Sequence, residues 1–151
     1  MANTTNFLKV EEWYRKKLSD EYPEYNISKE NVPLSNWGCN GYFECDVVVK
    51  KGKSIVEVQC LSCSKAKTAS GNGGAGKLHK IQADALMLTG IKCKRKTLAF
   101  TEKSMYNRIL KEKGNGRLPN SIDLVLVDVD DKSIRELIKK TSENSSKELM
   151  K

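Results

Sequence analysis

The 151-residue sequence lacks several features, and each absence argues against a class of protein. No stretch approaches the roughly 18 consecutive apolar residues that a membrane-spanning helix requires, so we expect no membrane partner. The first residues, MANTTN, are polar and do not resemble a signal peptide. The five cysteines are odd in number, which without a secretory signal predicts reduced thiols and a cytoplasmic location.

Basic residues, in contrast, are abundant. The chain has 27 lysines and arginines against 19 aspartates and glutamates, which gives a net charge of +8. Such an excess predicts a polyanionic partner, with nucleic acid the leading candidate; a lysine-rich surface without a partner is the alternative. The length and the 38% hydrophobic content predict one domain over residues 1–140, followed by a flexible tail over residues 141–151.

Residues 42–61 are predicted to form a β-hairpin, because two apolar, β-branched runs are joined by Lys51-Gly52-Lys53. Strand alternation puts Glu57 and Gln59 on one face of the second strand. In the first strand it separates Asp46 and Glu44 from an apolar set on the other face: Cys45, Val47 and Val49.

Across this hairpin we expect Asp46 and Glu57 to lie side by side. Carboxylates within such apolar runs are costly to bury unless a cation compensates them. The hairpin is therefore a candidate metal site. The alternative is an ordinary amphipathic hairpin with a solvated acidic face.

An Asp on one strand, followed after a short hairpin by Glu-x-Gln and flanked by helices, resembles the PD-(D/E)XK nuclease superfamily. Asp46 matches the motif Asp, and Glu57-Val58-Gln59 matches the (D/E)-x-K element. Cys45 stands where Pro is usual, and Gln59 stands where Lys is usual. The resemblance covers roughly residues 6–101. It implies a restriction-endonuclease-like α/β fold, with an αβββαβ core and a central mixed sheet flanked by helices.

The resemblance also implies a metal-dependent nuclease, acting on DNA more than on RNA. Mg²⁺, or Mn²⁺, would be held by Asp46 and Glu57, with the backbone carbonyl of Val58 and a first-helix glutamate, Glu11. Gln59 could orient a water but brings no charge, so either the metal or Lys77 is expected to compensate for the missing lysine. A homodimer is expected by analogy. If Gln59 reflects lost catalysis, the alternative is an inactive nuclease-like module that binds nucleic acid.

Residues 6–22 are predicted to form a helix, because five apolar residues recur at helical spacing: Phe7, Val10, Tyr14, Leu18 and Tyr22. Glu11 falls inside this stripe, whereas Glu12 points away from it. A packing-face carboxylate makes Glu11 the candidate ligand; a glutamate that extends to water at the edge of the stripe is the alternative.

The remaining elements follow from periodicity and turn residues. A short strand is expected at residues 25–27 or 32–34, further strands at 96–101 and 122–129, and helices at 77–89, 103–113 and 134–138. The continuous apolar run at 122–129 predicts a strand buried on both faces. Trp37 either stacks on a base or packs on the core. His79, the only histidine, is interpreted as incidental.

The segment 62–76 is basic and rich in glycine, which is typical of a mobile loop. We expect phosphate contacts from four lysines: Lys65, Lys67, Lys77 and Lys80. Residues 71–77, GNGGAGK, also match the P-loop pattern, with residues 124–128 as an acidic strand partner. Leu78 replaces the hydroxyl residue that would bind Mg²⁺, so a P-loop nucleotide-binding protein is only the third alternative.

The cysteines allow one more metal site. Cys60 and Cys63 form a C-x-x-C pair, to which Cys39 and Cys45 could add two thiolates. Cys45 and Cys60, however, are predicted on the hairpin face opposite the carboxylates. Core packing is therefore the favoured interpretation.

Overall fold

A five-stranded mixed sheet flanked by helices organises the chain in a computed structural model, which describes residues 4–66 and 75–149. The helices are α1 (Thr4–Glu21), α2 (Ala75–Thr89), α3 (Lys103–Gly114) and α4 (Lys132–Leu149). The strands are β1 (Asn26–Pro33), β2 (Tyr42–Lys51), β3 (Ser54–Ser62), β4 (Arg95–Phe100) and β5 (Ile122–Leu126). A short 3-10 turn covers Ser35–Trp37.

The strands lie in the order β1-β2-β3-β4-β5. The first three form an antiparallel meander, and its second turn contains Gly52 with φ +63°. Glycine adopts this left-handed conformation readily, so the turn is tight. β4 and β5 continue the sheet in parallel with β3. Parallel neighbours need long crossovers, which α2 and α3 supply.

Two apolar clusters lie on opposite faces of the sheet. On the α2/α3 face, helix residues such as Ile81, Leu88 and Ile109 join the cluster of strand residues that includes Val58 and Phe100. On the α1/α4 face, Val10, Tyr14 and Ile138 join the cluster that includes Val47 and Leu61. The fold therefore has three layers, with α1 and α4 on one side and α2 and α3 on the other.

Most of the predicted elements are confirmed to within a few residues, including α1, the hairpin, α2, β4 and α3. β1 covers most of both segments proposed for the first strand. The placement of the two glutamates relative to the helical stripe is also confirmed: Glu11 is 2% exposed, whereas Glu12 is exposed.

Two predictions near the end of the chain are wrong. β5 stops at Leu126 and forms an edge of the sheet, so Val125 and Leu126 are each 40% exposed instead of buried on both faces. α4 extends far beyond residues 134–138, to Leu149. The flexibility expected of residues 141–151 stays a prediction.

A β-bulge in β2 changes which side chains share a face. Ser28 pairs with Val48 and Glu30 pairs with Cys45, so two steps along β1 match three along β2. The extra residue interrupts the alternation. Cys45 consequently packs on the α2/α3 face and Val47 on the α1/α4 face. The prediction that these two residues share a face is wrong.

No helix in the described part of the chain is both long and apolar enough to cross a membrane.

Candidate active site

The side chains of Glu11 and Asp46, termed here the carboxyl pair, meet on the α1/α4 face. Glu11 comes from the buried stripe of α1, and Asp46 comes from the bulged part of β2. They lie close enough that the Glu11 carboxyl group raises the pKa of Asp46. The backbone N–H of Leu61 on β3 donates to Asp46 Oδ2 at 2.7 Å, which fixes the aspartate against the neighbouring strand. One helix and two strands thus hold two acids together.

Two cations adjoin the carboxyl pair. Lys29 Nζ, on β1, lies 2.9 Å from Glu11 Oε1. Arg15 Nη1 lies 3.7 Å from the same oxygen and donates to the backbone carbonyl of Asp46 at 3.0 Å. The charge of Glu11 is therefore compensated by side chains from its own helix and from the edge strand.

Burial is the main reason why the pKa of Asp46 rises from its usual 3.8 to about 7. The Leu61 amide and the Lys29 ammonium oppose this rise, while the adjacent Glu11 carboxyl reinforces it. A carboxyl group with such a pKa is partly protonated near neutral pH. A divalent cation that bound to it would displace the proton.

Glu57 does not lie beside Asp46, so the side-by-side prediction is wrong. Lys51 pairs with Ser54 across the two-residue turn, and with a second bulge in β3 this pairs Glu57 with Val49. At about 3.3 Å per residue, Asp46 is roughly 10 Å further along the strand. Glu57 Oε2 instead accepts a hydrogen bond from Thr97 Oγ1 on β4 at 2.6 Å.

Gln59 is the motif residue whose backbone lies nearest to Asp46 in the hairpin register. It pairs with Val47, directly after Asp46, and is 5% exposed. Tyr14 donates its hydroxyl hydrogen to Gln59 Oε1 at 2.6 Å. Burial raises the pKa of Tyr14 well above its usual value, so its hydroxyl stays protonated.

The predicted roles of Lys77 and Val58 receive no geometric support. Lys77 is half-buried on α2, where burial lowers its pKa, and no ion pair joins it to the carboxyl pair in the described residues. The side chain of Val58 packs on the α2/α3 face. β3 is paired on both edges, and such strands use their carbonyls in ladder hydrogen bonds.

The predicted phosphate-binding lysines are dispersed. Lys65 is exposed, and Lys80 Nζ lies 3.3 Å from Asp84 on the same helix. Lys67 lies outside the described residues, as do the first glycines of the P-loop pattern. Gly76 and Lys77 belong to α2.

The cysteines do not converge on one point. Cys45 and Cys60 are buried on the α2/α3 face and Cys63 on the α1/α4 face, while Cys39 is exposed. The packing interpretation is confirmed for the three buried thiols. Over residues 4–66 and 75–149, no group of three or more histidines, cysteines, aspartates or glutamates is arranged to hold a metal ion.

The donor atoms of the carboxyl pair nevertheless suit Mg²⁺. Carboxylate oxygens are hard ligands, and Mg²⁺ is often held by only one or two of them, with waters and substrate phosphates completing its shell. Glu11 and Asp46 fit this pattern in number and type. Glu57 and Val58 do not join them.

Sequence reasoning missed both cations of the site, Arg15 on α1 and Lys29 on β1. The strand of Lys29 was only loosely placed by the sequence, and the role of Lys29 follows from the pairing of β1 with the bulged part of β2.

No protein-family model matches the chain, and no curated protein or solved structure matches it either.

Proposed function

We propose that this chain is a metal-dependent phosphodiesterase that cleaves nucleic acid, DNA rather than RNA, with the carboxyl pair as its acidic centre. One observation carries the proposal: the buried carboxyl group of Glu11 and the half-buried carboxyl group of Asp46, from different elements, lie close enough to interact. Placing two acids together is unfavourable. A divalent ion bound between the two carboxylates would remove their mutual repulsion.

Two further features support the proposal. The order α1-β1-β2-β3-α2-β4 is that of the resembled αβββαβ core. Within it, Asp46 matches the motif aspartate, and Glu11 matches the first-helix glutamate. The net charge of +8 suits a phosphodiester substrate.

The chemistry assigns a role to each residue around the carboxyl pair. A Mg²⁺ or Mn²⁺ ion held there would lower the pKa of a bound water and neutralise phosphate charge. Lys29 contributes the positive charge that the motif lysine usually brings, in place of Lys77. Gln59, held by Tyr14, orients a water without adding charge.

A specific observation favours a second candidate, an inactive nuclease-like module that binds nucleic acid. Lys29 and Arg15 already compensate Glu11, and Gln59 is uncharged. In this alternative, the cluster is a structural ion pair that needs no metal.

Cleavage assays with four variants separate the two candidates. Labelled duplex, single-stranded and branched DNA, and RNA, are incubated with Mg²⁺, Mn²⁺ or EDTA. We expect Glu11→Gln and Asp46→Asn to lose cleavage at least a hundredfold. Glu57→Gln and the matched surface control Glu12→Gln should retain it. Binding of nucleic acid without cleavage in the presence of either metal ion would support the inactive module. Loss of cleavage in Glu57→Gln would show that Glu57 belongs to the active site.

A further inference from the structure

A cavity of about 600 Å³ opens on the α1/α4 face over β3, β4 and β5. Its floor includes three buried polar side chains, from Tyr14, Gln59 and Thr97, together with the half-buried Glu57. Glu11 and Asp46 do not line it. Its volume lies within the range of about 300–1,000 Å³ that is usual for small-molecule sites.

The polar groups of the floor are aligned across the sheet. Gln59 pairs with Thr97, and Thr97 pairs with Asp123 on β5. Residues that pair in register project from the same face. Three neighbouring strands therefore present polar side chains at the same level. Glu57 lies two residues before Gln59 in β3 and projects from the same face.

Hydrogen-bonding capacity remains unused at this floor. Gln59 accepts from Tyr14 through Oε1, and its amide nitrogen has no partner among the described residues. Glu57 uses Oε2 for Thr97, which leaves its other oxygen available. Since the Tyr14 hydroxyl can accept as well as donate, the amide can present either end to a ligand.

The charged residues that line the cavity determine whether it favours a cationic or an anionic ligand. Besides Glu57, four exposed acids surround the cavity: Glu21, Glu24, Asp123 and Asp128. Among the described lining residues only Lys17 and Arg95 oppose them, and Lys17 lies 3.6 Å from Asp130 and over the ring of Trp13. In a chain of net charge +8, this cavity is locally acidic. It repels phosphates and attracts cations.

Apolar and aromatic surface completes the lining. Tyr22 and Tyr25 lie at the cavity with ring centroids 6.4 Å apart, and Leu18, Ile27 and Val56 add aliphatic contact. Aromatic faces attract organic cations. The cavity thus combines an apolar wall with carboxylate acceptors.

We propose that this cavity binds an organic cation, an amidinium or guanidinium group carried on an apolar body. Glu57 and Asp123 accept its N–H groups, since planar cations of this kind match carboxylate oxygens. The Gln59 amide accepts a further N–H through its oxygen. The inference goes beyond the proposed function and does not depend on the carboxyl pair; Gln59 is the residue that both proposals use.

Calorimetric titration of the full chain with three probes of similar shape tests the proposal. Benzamidine is cationic, benzamide is neutral and benzoate is anionic. We expect saturable binding of benzamidine, roughly tenfold tighter than benzamide, and no binding of benzoate. Absence of saturable binding at millimolar benzamidine, or binding of benzoate as tight as that of benzamidine, would overturn the proposal.

Variants assign the binding to this cavity. Glu57→Gln and Asp123→Asn should each weaken benzamidine binding several-fold, while Glu12→Gln, on the exposed side of α1, should not. Thermal unfolding of each variant reports whether it is folded; Asp123 is exposed, so its substitution spares the core. Equal affinity across folded variants would refute the assignment. Glu11→Gln should bind benzamidine normally whether or not it has lost cleavage, which keeps this test separate from the proposed function.

Discussion

At the scale of single residues, Asp46 links the proposed chemistry to stability. Its pKa of about 7 exceeds its usual 3.8 because it is buried and lies beside Glu11. Between these pH values the folded chain retains a proton that the unfolded chain releases. The stability that this proton confers is fully present below about pH 4, and it is lost as the pH rises through 7.

Asp46→Asn should therefore stabilise the fold at pH 8. The asparagine is neutral, and its side-chain oxygen still accepts the Leu61 N–H. We expect the free energy of unfolding to rise by at least about 1 kcal/mol at pH 8 and by less at pH 5, measured by urea denaturation. Asp20→Asn, at an exposed aspartate, is the control. A gain that is equal at both pH values would contradict the assigned titration.

Lys29 is expected to be the main counter-charge of Glu11. Lys29→Met would leave that buried carboxylate with Arg15 at 3.7 Å as its nearest basic side chain. We expect a loss of about 1–3 kcal/mol in the free energy of unfolding at pH 8, which Lys29→Arg restores in part. Lys16→Met, which breaks an exposed pair with Asp20, should change little. If both methionine variants behave alike, Lys29 does not compensate Glu11.

The sequence predicted Glu11 but misplaced Glu57, and the reason is physical. Helical periodicity shows directly that Glu11 lies on a packing face. The choice of partner for Asp46 depends instead on hairpin register. Val47, Val48 and Val49 are equally apolar, so their order contains no signal for the bulge that brings Asp46 towards α1.

At the scale of elements, the 3-10 turn at Ser35–Trp37 is fastened to the end of α2. The side-chain amide of Asn36 donates to the backbone carbonyl of Ile91 at 3.0 Å. A Cβ atom added to Gly90 would lie 2.9 Å from two ring atoms of Trp37. The indole thus packs against Gly90, although it stays 41% exposed. Stacking of Trp37 on a base remains a prediction.

Gly90→Ala should displace the indole. We expect a loss of about 1–3 kcal/mol in the free energy of unfolding, together with a red shift of tryptophan emission in a Trp13→Phe background. Gly114→Ala is the control, since a Cβ atom there meets nothing within 4 Å. Unchanged emission in Gly90→Ala would show that the contact is absent in solution.

The types of most elements were predictable because a hydrophobic period extends over many residues of the element or because the flanking turns have distinctive residues. The bounds of β5 and α4 were not predictable in this way. An apolar run does not reveal whether it lies at the centre or the edge of a sheet, and β5 lies at the edge.

At the scale of the whole molecule, the proposed metal site and the lysines proposed to bind nucleic acid lie on opposite faces of the sheet. The carboxyl pair lies on the α1/α4 face, whereas Lys77 and Lys80 belong to α2, which packs on the opposite face. If nucleic acid binds through these lysines, its affinity should fall steeply with salt.

Fluorescence anisotropy with labelled DNA at several salt concentrations measures this dependence. Lys77→Gln should reduce the slope of log K against log [salt] by about one. Lys80→Gln should reduce it less, because Lys80 is paired with Asp84. Asp46→Asn should leave binding largely intact. A slope near zero for the unmodified chain would argue against a polyanionic partner.

The most direct test of the account is a Mn²⁺ titration followed by electron paramagnetic resonance, which counts bound ions without requiring a substrate. We expect one tight site in the unmodified chain and in Glu57→Gln, and loss of that site in both Glu11→Gln and Asp46→Asn. Binding that survives both of these changes, or that disappears in Glu57→Gln, would contradict a divalent-ion site at the carboxyl pair.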